Sequence, residues 1–235
     1  MSDHTNKQFD AEMESIRSGV LSMGGIVEQQ LARAIEALEK DEDAGRLDAV
    51  VDGEAAINGM QMAIDQQCAQ IIAKRQPAAV DLRMVLTVSK IVNDLERIGY
   101  EVKKIAYKAS ETRGSARLAR VRCYDTARAL DDAMTMLQLA LDAFVRLDAI
   151  AAAEVIGRDV HIDAAFASIL RQLVSYMMED PRTITPALEI VFIAKSIERI
   201  GDHAKNIAEA VVQVVKGKDV RHASAVAIRA EVAQP

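Results

Sequence analysis

The chain has 235 residues, of which 50% are hydrophobic and only 3% aromatic, with no tryptophan. This composition excludes an intrinsically disordered or collagen-like chain, and the scarcity of aromatic and turn-forming residues argues against a β-sandwich or barrel. A formal net charge of −6 argues against nucleic-acid binding, which requires a basic face. We therefore expect long helices packed around an aliphatic core.

Nothing in the sequence indicates a membrane-spanning or secreted protein. The N-terminal residues lack the basic and apolar segments of a signal peptide. The longest uncharged runs, 18–27 and 55–64, have ten residues each, and a spanning helix needs about 20. Cys68 and Cys123 are isolated, which is typical of a reducing compartment and makes a cysteine metal site improbable. We predict a cytoplasmic protein.

Three helices are predicted in the first half, at 8–41, 44–75 and 78–110. The second ends before Pro77, since proline disfavours helix at the preceding residue. The third has apolar residues at alternating intervals of four and three, which is typical of a helix packed along one side. Glycines inside these helices, Gly24, Gly25 and Gly99, predict close approach between helices. The apolar seam consists of Ile91, Leu95, Ile98, Val102, Ile105 and Ala109.

The second half repeats this organisation, with helices predicted at 116–147, 149–179 and 184–216. The motif Glu-Arg-Ile-Gly at 96–99 recurs at 198–201, which is 102 residues later. Its helix carries the same apolar seam, and Gly201 matches Gly99. The seam here consists of Ile190, Ile193, Ile197, Ile200, Ala204, Ile207, Val211 and Val214.

This repeat predicts an all-α fold of two tandem, pseudo-symmetric three-helix bundles containing six long helices. The first bundle spans 1–111 and the second 112–217, and they meet near 111–115, whose composition is typical of a linker. Residues 218–235 are expected to form a short tail that is a frayed helix or disordered.

The sequence lacks the common catalytic motifs of nucleotide-binding proteins, α/β-hydrolases and zinc proteases. None of its histidines has a glutamate three residues before it, as di-iron carboxylate bundles require. His203 is interpreted as a solvated surface residue. We therefore predict that the protein is not an enzyme.

Two pairs of acidic residues could nevertheless bind a metal ion. Asp159 and Asp163 are four residues apart, as are Glu198 and Asp202, so each pair lies on one face of its helix. Two such pairs on successive helices could supply oxygen ligands to a hard cation. The alternative is an ordinary salt-bridged solvent face, because lysines interleave with the acids on the last helix.

The corresponding positions of the first half form a weaker candidate site. Glu54, Asn58 and Glu96 stand there, and Tyr100 occupies the place of Asp202. A neutral phenol is a poor ligand for a hard cation. We expect the second half to hold a metal more firmly than the first.

Five segments, taken in order, resemble the PhoU family, the accessory and regulatory proteins of bacterial phosphate-specific transport systems. They extend over both halves, so that the resemblance covers essentially the whole chain. The segments are MGGIVEQQL (23–31), IIAKRQPAAVDLR (71–83), VNDLERIG (92–99), MMEDPRTI (177–184) and SIERIGDHAKNI (196–207).

The resemblance implies two three-helix bundles, each with a Glu/Asp-x-x-x-Asp motif that the family links to bound metal ions. It also implies a regulatory adaptor that couples a phosphate ABC transporter to a sensor histidine kinase. Such an adaptor restrains the phosphate-starvation response and moderates uptake when phosphate is abundant. The expected cofactor is a divalent or ferric metal ion, and the expected membrane association is peripheral, through the transporter complex.

Two other readings and one question of assembly stay open at this point. The paired acids would also suit a carboxylate-metal enzyme acting on phosphoesters in a helical bundle. The heptad-like seams would suit a structural coiled coil, although each seam stops after about 30 residues. A homodimer is expected, because the apolar flank that contains Met134, Met136 and Leu137 could self-associate.

Overall fold

A computed structural model describes residues 2–39, 45–111, 118 and 124–233, and side chains from 7–38, 52–109, 118 and 124–233. Within these ranges the chain forms seven α-helices and contains no β-strand, so the predicted all-α fold is confirmed. A short 3₁₀ turn, Pro181–Thr183, joins the fifth and sixth helices. The helices are α1 Ser2–Glu39, α2 Gly45–Arg75, α3 Ala79–Glu111, α4 Thr126–Arg146, α5 Ala149–Glu179, α6 Ile184–Lys216 and α7 Ala225–Val232.

Helices α3 and α6 form the centre of the molecule. Helices α1 and α2 pack on α3, helices α4 and α5 pack on α6, and α1 also packs on α4. Lys108 pairs with Glu189 near one end of the central pair, and Lys90 bonds to Gln213 near the other. α3 and α6 are therefore antiparallel, and the two predicted three-helix bundles meet along them.

The core is aliphatic, as the composition predicts. Every residue of the two predicted seams is buried, and the buried apolar side chains of both halves form one continuous cluster. Phe144 is the one aromatic residue among the largest fully buried side chains of the described chain. Met136 and Leu137 also lie in this core, and the partly buried Met134 packs against it. They are therefore not an exposed flank, and the homodimer stays a prediction.

The helix boundaries agree with the prediction where local signals are strong. α5 and α6 have the predicted limits, because the Asp148 carboxylate accepts a hydrogen bond from Ala151 N at 2.9 Å and Pro181 follows the end of α5. α1 begins six residues earlier than expected, at Ser2. The predicted start of the fourth helix at 116 and the linker at 112–115 lie outside the described residues, and α4 is described from Thr126.

The tail contains a packed helix rather than a frayed or disordered end. Gly217 terminates α6 in the left-handed conformation, with φ of 70°. The hydroxyl of Ser224 then caps α7 by accepting a hydrogen bond from Ala227 N. Ile228 and Val232 are buried, and α7 packs on α5. None of the described helices is long and apolar enough to cross a membrane.

Candidate carboxylate site

The four acids predicted in the second half lie together between α5 and α6. Asp159 and Asp163 project from α5, and Glu198 and Asp202 from the facing turns of α6. They are near enough to affect each other: Asp159 and Glu198 both raise the pKa values of Asp163 and Asp202. The structure therefore brings the four acids near one another, and metal binding by them stays a prediction.

Burial is the main reason why protons are held more tightly here. Partial burial is the largest cause of the raised pKa of Asp202, and repulsion from Glu198 follows it. The same order holds for Asp163, where burial comes first and Asp159 second. A carboxylate among other carboxylates is costly to ionise, so a cation in the cluster is favourable.

Two lysines supply positive charge in the described structure. Lys205 Nζ donates a hydrogen bond to Asp159 Oδ2 at 2.7 Å, and this bond is the main cause of the raised pKa of Lys205. Lys195 Nζ lies 2.6 Å from the Glu198 carboxylate and 5.5 Å from the centre of the Phe166 ring. Both ammonium groups therefore come from α6, whereas α5 and α6 each contribute two acids.

This arrangement differs from an ordinary solvent face. Asp159 is buried, and the Glu198 side chain is only 15% exposed. Glu209, three turns after Glu198 on the same side of α6, is buried as well, and burial is the main reason why its pKa is raised. Of the four acids, Asp163 and Asp202 are open to solvent.

The donor chemistry fits a hard cation, although the side chains are not arranged around one. Carboxylate oxygens are the ligands that divalent oxygen-seeking metals and ferric iron accept. In the part of the chain that the structure describes, no group of three or more His, Cys, Asp or Glu side chains is placed to hold a metal ion. Lysine ammonium groups instead contact two of the four acids.

The first half contains a reduced version of the cluster. Lys103 Nζ lies 2.8 Å from Glu54 Oε2, which corresponds to the Lys205–Asp159 pair. Asn58 Oδ1 is buried without a hydrogen-bond partner, and Tyr100 is 43% exposed. With one carboxylate fewer on each helix, this half offers a cation less negative charge.

A second polar cluster joins α3 to α6, and the helical periodicity of the sequence did not predict it. Buried Glu101 contacts Arg199 Nη1 at 3.2 Å and Lys104 Nζ at 2.7 Å. Burial would raise the pKa of Glu101, but hydrogen bonds from Lys104, Ser196 and Arg199 outweigh it and lower that pKa. The i, i+3 spacing of Glu101 and Lys104 was the one sequence signal for it.

His203 belongs to the same interface and is not a freely solvated residue. Its Nδ1 lies 2.8 Å from Asp94 Oδ1, and its side chain is 23% exposed. Asn206 Nδ2 donates to the same Asp94 oxygen at 3.3 Å. His203 thus connects the halves, although it follows directly after the predicted ligand Asp202.

Comparison with known proteins gives a consistent result. The family model described as the PhoU domain matches the chain twice, at 20–109 and 126–211. The chain is 44% identical over 233 residues to a phosphate-specific transport system accessory protein PhoU homolog of Pseudomonas aeruginosa, covering 99% of this chain and 95% of the relative.

Two solved structures have the same fold. The crystal structure of PhoU from Pseudomonas aeruginosa is 44% identical, with a TM-score of 0.81, and the match covers 89% of this chain and all of that one (100%). The phosphate transport system regulatory protein PhoU from Streptococcus pneumoniae is 26% identical, with a TM-score of 0.82, covering 90% of this chain and 99% of that one.

Proposed function

This chain belongs to the PhoU family, and we propose that it is a regulatory adaptor in phosphate homeostasis. It couples a phosphate ABC transporter to a sensor histidine kinase, and it restrains the phosphate-starvation response and moderates uptake when phosphate is abundant. The observation that carries this proposal is the match of the PhoU domain to both halves. The Pseudomonas relative is described as an accessory protein of phosphate-specific transport, and the Streptococcus structure as a regulatory one.

The architecture suits an adaptor because regulation of this kind needs differential contacts and no turnover. An adaptor favours one state of its partner by binding that state more tightly. Long helices present extended surfaces for such contacts, and ion pairs such as Glu101–Arg199 tie the two halves together. We place the protein in the cytoplasm, attached to the membrane only through the transporter complex.

Deletion of the gene tests the regulatory role. In phosphate-rich medium the deletion strain should express phosphate-starvation genes, and the wild-type chain supplied on a plasmid should restore repression. Normal repression in the deletion strain would refute the proposal. Co-purification with crosslinking in the complemented strain tests whether the transporter and the kinase are partners, and it reports whether the chain is a homodimer.

The adaptor proposal also differs in its prediction from a carboxylate-metal enzyme. An enzyme acting on phosphoesters would show turnover that disappears in Asp163→Ala and Asp202→Ala. An adaptor would show no such activity, and the loss of the acids would alter regulation alone. A phosphoesterase assay of the purified chain with added divalent metals separates the two.

We further propose that the second-half cluster holds a divalent or ferric ion. Asp159, Asp163, Glu198 and Asp202 would be its ligands, and the positive charge of the ion would favour the ionised form of the four neighbouring carboxylates. Asp159 and Glu198 would then exchange their lysine contacts for the metal. Glu54, Asn58 and Glu96 form the weaker candidate site.

A further inference from the structure

Five large apolar side chains are exposed where α5 turns into α6. Val174 and Met178 lie in the last two turns of α5, and Ile184, Leu188 and Phe192 follow at intervals of four in the first turns of α6. α5 and α6 pack together along their lengths, so these residues share one end of the pair. We name them the corner patch; their exposed fractions are 43%, 81%, 42%, 45% and 54% in chain order.

The internal repeat shows that three of these five positions do not require a large apolar residue. Residues of α5 correspond to residues of α2 that are 105 positions earlier, and residues of α6 to residues of α3 that are 102 positions earlier. This alignment matches Ile162 with Ile57 and Gly201 with Gly99, which make the same contact in each half. The first-half corner has the same helix–proline–helix construction, with leucine at two of the five matching positions and alanine or lysine at the other three. The residues at the positions matching the patch are, in the same order, Ala69, Ala73, Leu82, Leu86 and Lys90.

Phe192 and its first-half counterpart, Lys90, show the largest chemical difference between the two corners. Lys90 is exposed and bonds to Gln213, as expected for a solvent-facing position. Phe192 is 54% exposed, with Lys108 Nζ 5.9 Å from its ring centre. Since one scaffold accommodates both residues, the exposed phenylalanine is not needed for folding. Clustered exposed apolar residues of this kind mark interaction surfaces.

The charge beside the patch indicates what kind of partner fits. Arg171 lies three residues before Val174 on the same side of α5, and Arg182 lies in the turn between the helices. Neither guanidinium has an ion-pair partner among the described residues, whereas neighbouring Glu179 and Asp180 do make contacts. Two positive charges without an ion-pair partner in the described part of the chain, on a protein of net charge −6, favour an acidic partner.

We propose that the corner patch is the docking surface for an amphipathic helix of a partner protein, with an apolar ridge bordered by acidic residues. Such a helix lies along apolar residues spaced by four, as at Ile184, Leu188 and Phe192. Its acidic border meets Arg171 and Arg182. This inference rests on the proposed function, because the partner is the transporter complex or the kinase.

The repeat itself provides the test variant. Val174→Ala, Met178→Ala and Phe192→Lys together place first-half residues at the second-half corner, so the fold should be retained. A control triple variant, Leu21→Ala, Met62→Ala and Val226→Ala, removes three exposed apolar residues elsewhere. Binding is measured to the transporter complex in nanodiscs and to the cytoplasmic part of the kinase, with circular dichroism confirming that each variant is folded.

We expect the corner triple variant to bind at least one of these proteins about tenfold or more weakly than the wild type and the control. Arg171→Glu with Arg182→Glu should weaken the same complex and reduce its dependence on salt. Equal binding by the corner triple variant and the wild type would overturn the docking surface and leave the adaptor role intact. If the wild type binds neither protein, the proposed function fails too.

Two further measurements separate other occupants of the patch. Sedimentation velocity from low to high concentration detects self-association, and flotation with phosphatidylglycerol vesicles detects membrane binding. Patch-dependent dimerisation or patch-dependent vesicle binding, without effect on partner binding, would overturn the proposal. The absence of both, together with weakened partner binding, supports it.

Discussion

Gly201 in α6 lies against Ile162 in α5 so closely that a Cβ on Gly201 would come within 3.1 Å of Ile162 Cγ2. The first half contains the same relationship, since a Cβ on Gly99 would lie 2.9 Å from Ile57 Cδ1. The Lys103–Glu54 and Lys205–Asp159 pairs, at 2.8 and 2.7 Å, correspond as well. The two Glu-Arg-Ile-Gly copies therefore occupy equivalent surroundings, and the duplication extends to individual side-chain contacts.

Two adjacent glycines in α1 give a matched stability prediction. A Cβ on Gly24 would lie 2.6 Å from Leu141 Cδ1 in α4, whereas Gly25 has no such neighbour within 4 Å. Gly25→Ala should raise the free energy of unfolding by about 0.5–1 kcal/mol, because alanine favours helix over glycine. Gly24→Ala should be less stable than Gly25→Ala by about 1–3 kcal/mol, because buried Leu141 has to shift to admit the Cβ. Urea denaturation followed by circular dichroism measures both, and equal stabilities would contradict this α1–α4 contact.

The sequence was sufficient for those parts of the fold that periodicity determines. The seam from Ile190 to Val214 is buried throughout because a spacing of three and four keeps its residues on one side of a helix. The glycine prediction holds at Gly24, Gly99 and Gly201, where a neighbouring helix lies close, and is wrong at Gly25. A helical repeat predicts which face is apolar, but it does not identify the residue opposite.

The sequence prediction failed where a polar face of one helix is covered by another part of the chain. Glu209 lies on the same side of α6 as exposed Asp202, yet it is buried. The charges of Asp219 and Arg221, in the segment after α6, are close enough to affect its pKa. Glu101 of α3 contacts Arg199 of α6, and His203 of α6 contacts Asp94 of α3. Each of these polar groups is covered by the facing helix. Such contacts depend on tertiary packing, which the pattern of a single helix does not contain.

Buried Glu101 should stabilise the fold as an ionised group. Glu101→Gln weakens its bonds to Lys104 and Arg199, so we expect it to lower the free energy of unfolding at pH 7 by about 1–3 kcal/mol. Because the folded-state pKa of Glu101 is lowered, its contribution is present above the ordinary carboxyl range and disappears as the pH falls towards that lowered pKa. The difference between wild type and variant should shrink accordingly in urea denaturation at decreasing pH. Glu14→Gln, at a side chain that is 69% exposed, is the control and should change little.

Glu209 should behave in the opposite way. Burial raises its pKa, so the folded state binds its proton more tightly than the unfolded state does. Its ionisation therefore costs stability above the raised pKa, and this cost disappears as the pH falls below the ordinary carboxyl range. We expect Glu209→Gln to raise the midpoint of thermal unfolding at pH 7, with a smaller gain at lower pH. A lower midpoint at pH 7 would show that the ionised carboxylate has a stabilising partner.

Removing acids from one half at a time tests where a metal binds. After mild purification, elemental analysis of the wild type should detect a divalent or ferric ion, and Glu198→Ala with Asp202→Ala should remove it. The matched first-half variant, Glu54→Ala with Glu96→Ala, should retain most of the metal, because Asn58 and Tyr100 already leave that site with fewer carboxylates.

The lysine contacts add a second readout to the same experiment. A metal at Asp159 has to displace the Lys205 ammonium group, which lies 2.7 Å from Asp159 Oδ2. Lys205→Met should therefore raise the affinity of the metal-free protein for added Mn²⁺ in isothermal titration, since the four carboxylates lose a competing cation. Lys103→Met, at the corresponding position of the first half, should have a much smaller effect. Equal metal content in the two acid variants, or weaker Mn²⁺ binding after Lys205→Met, would place the ion elsewhere in the molecule.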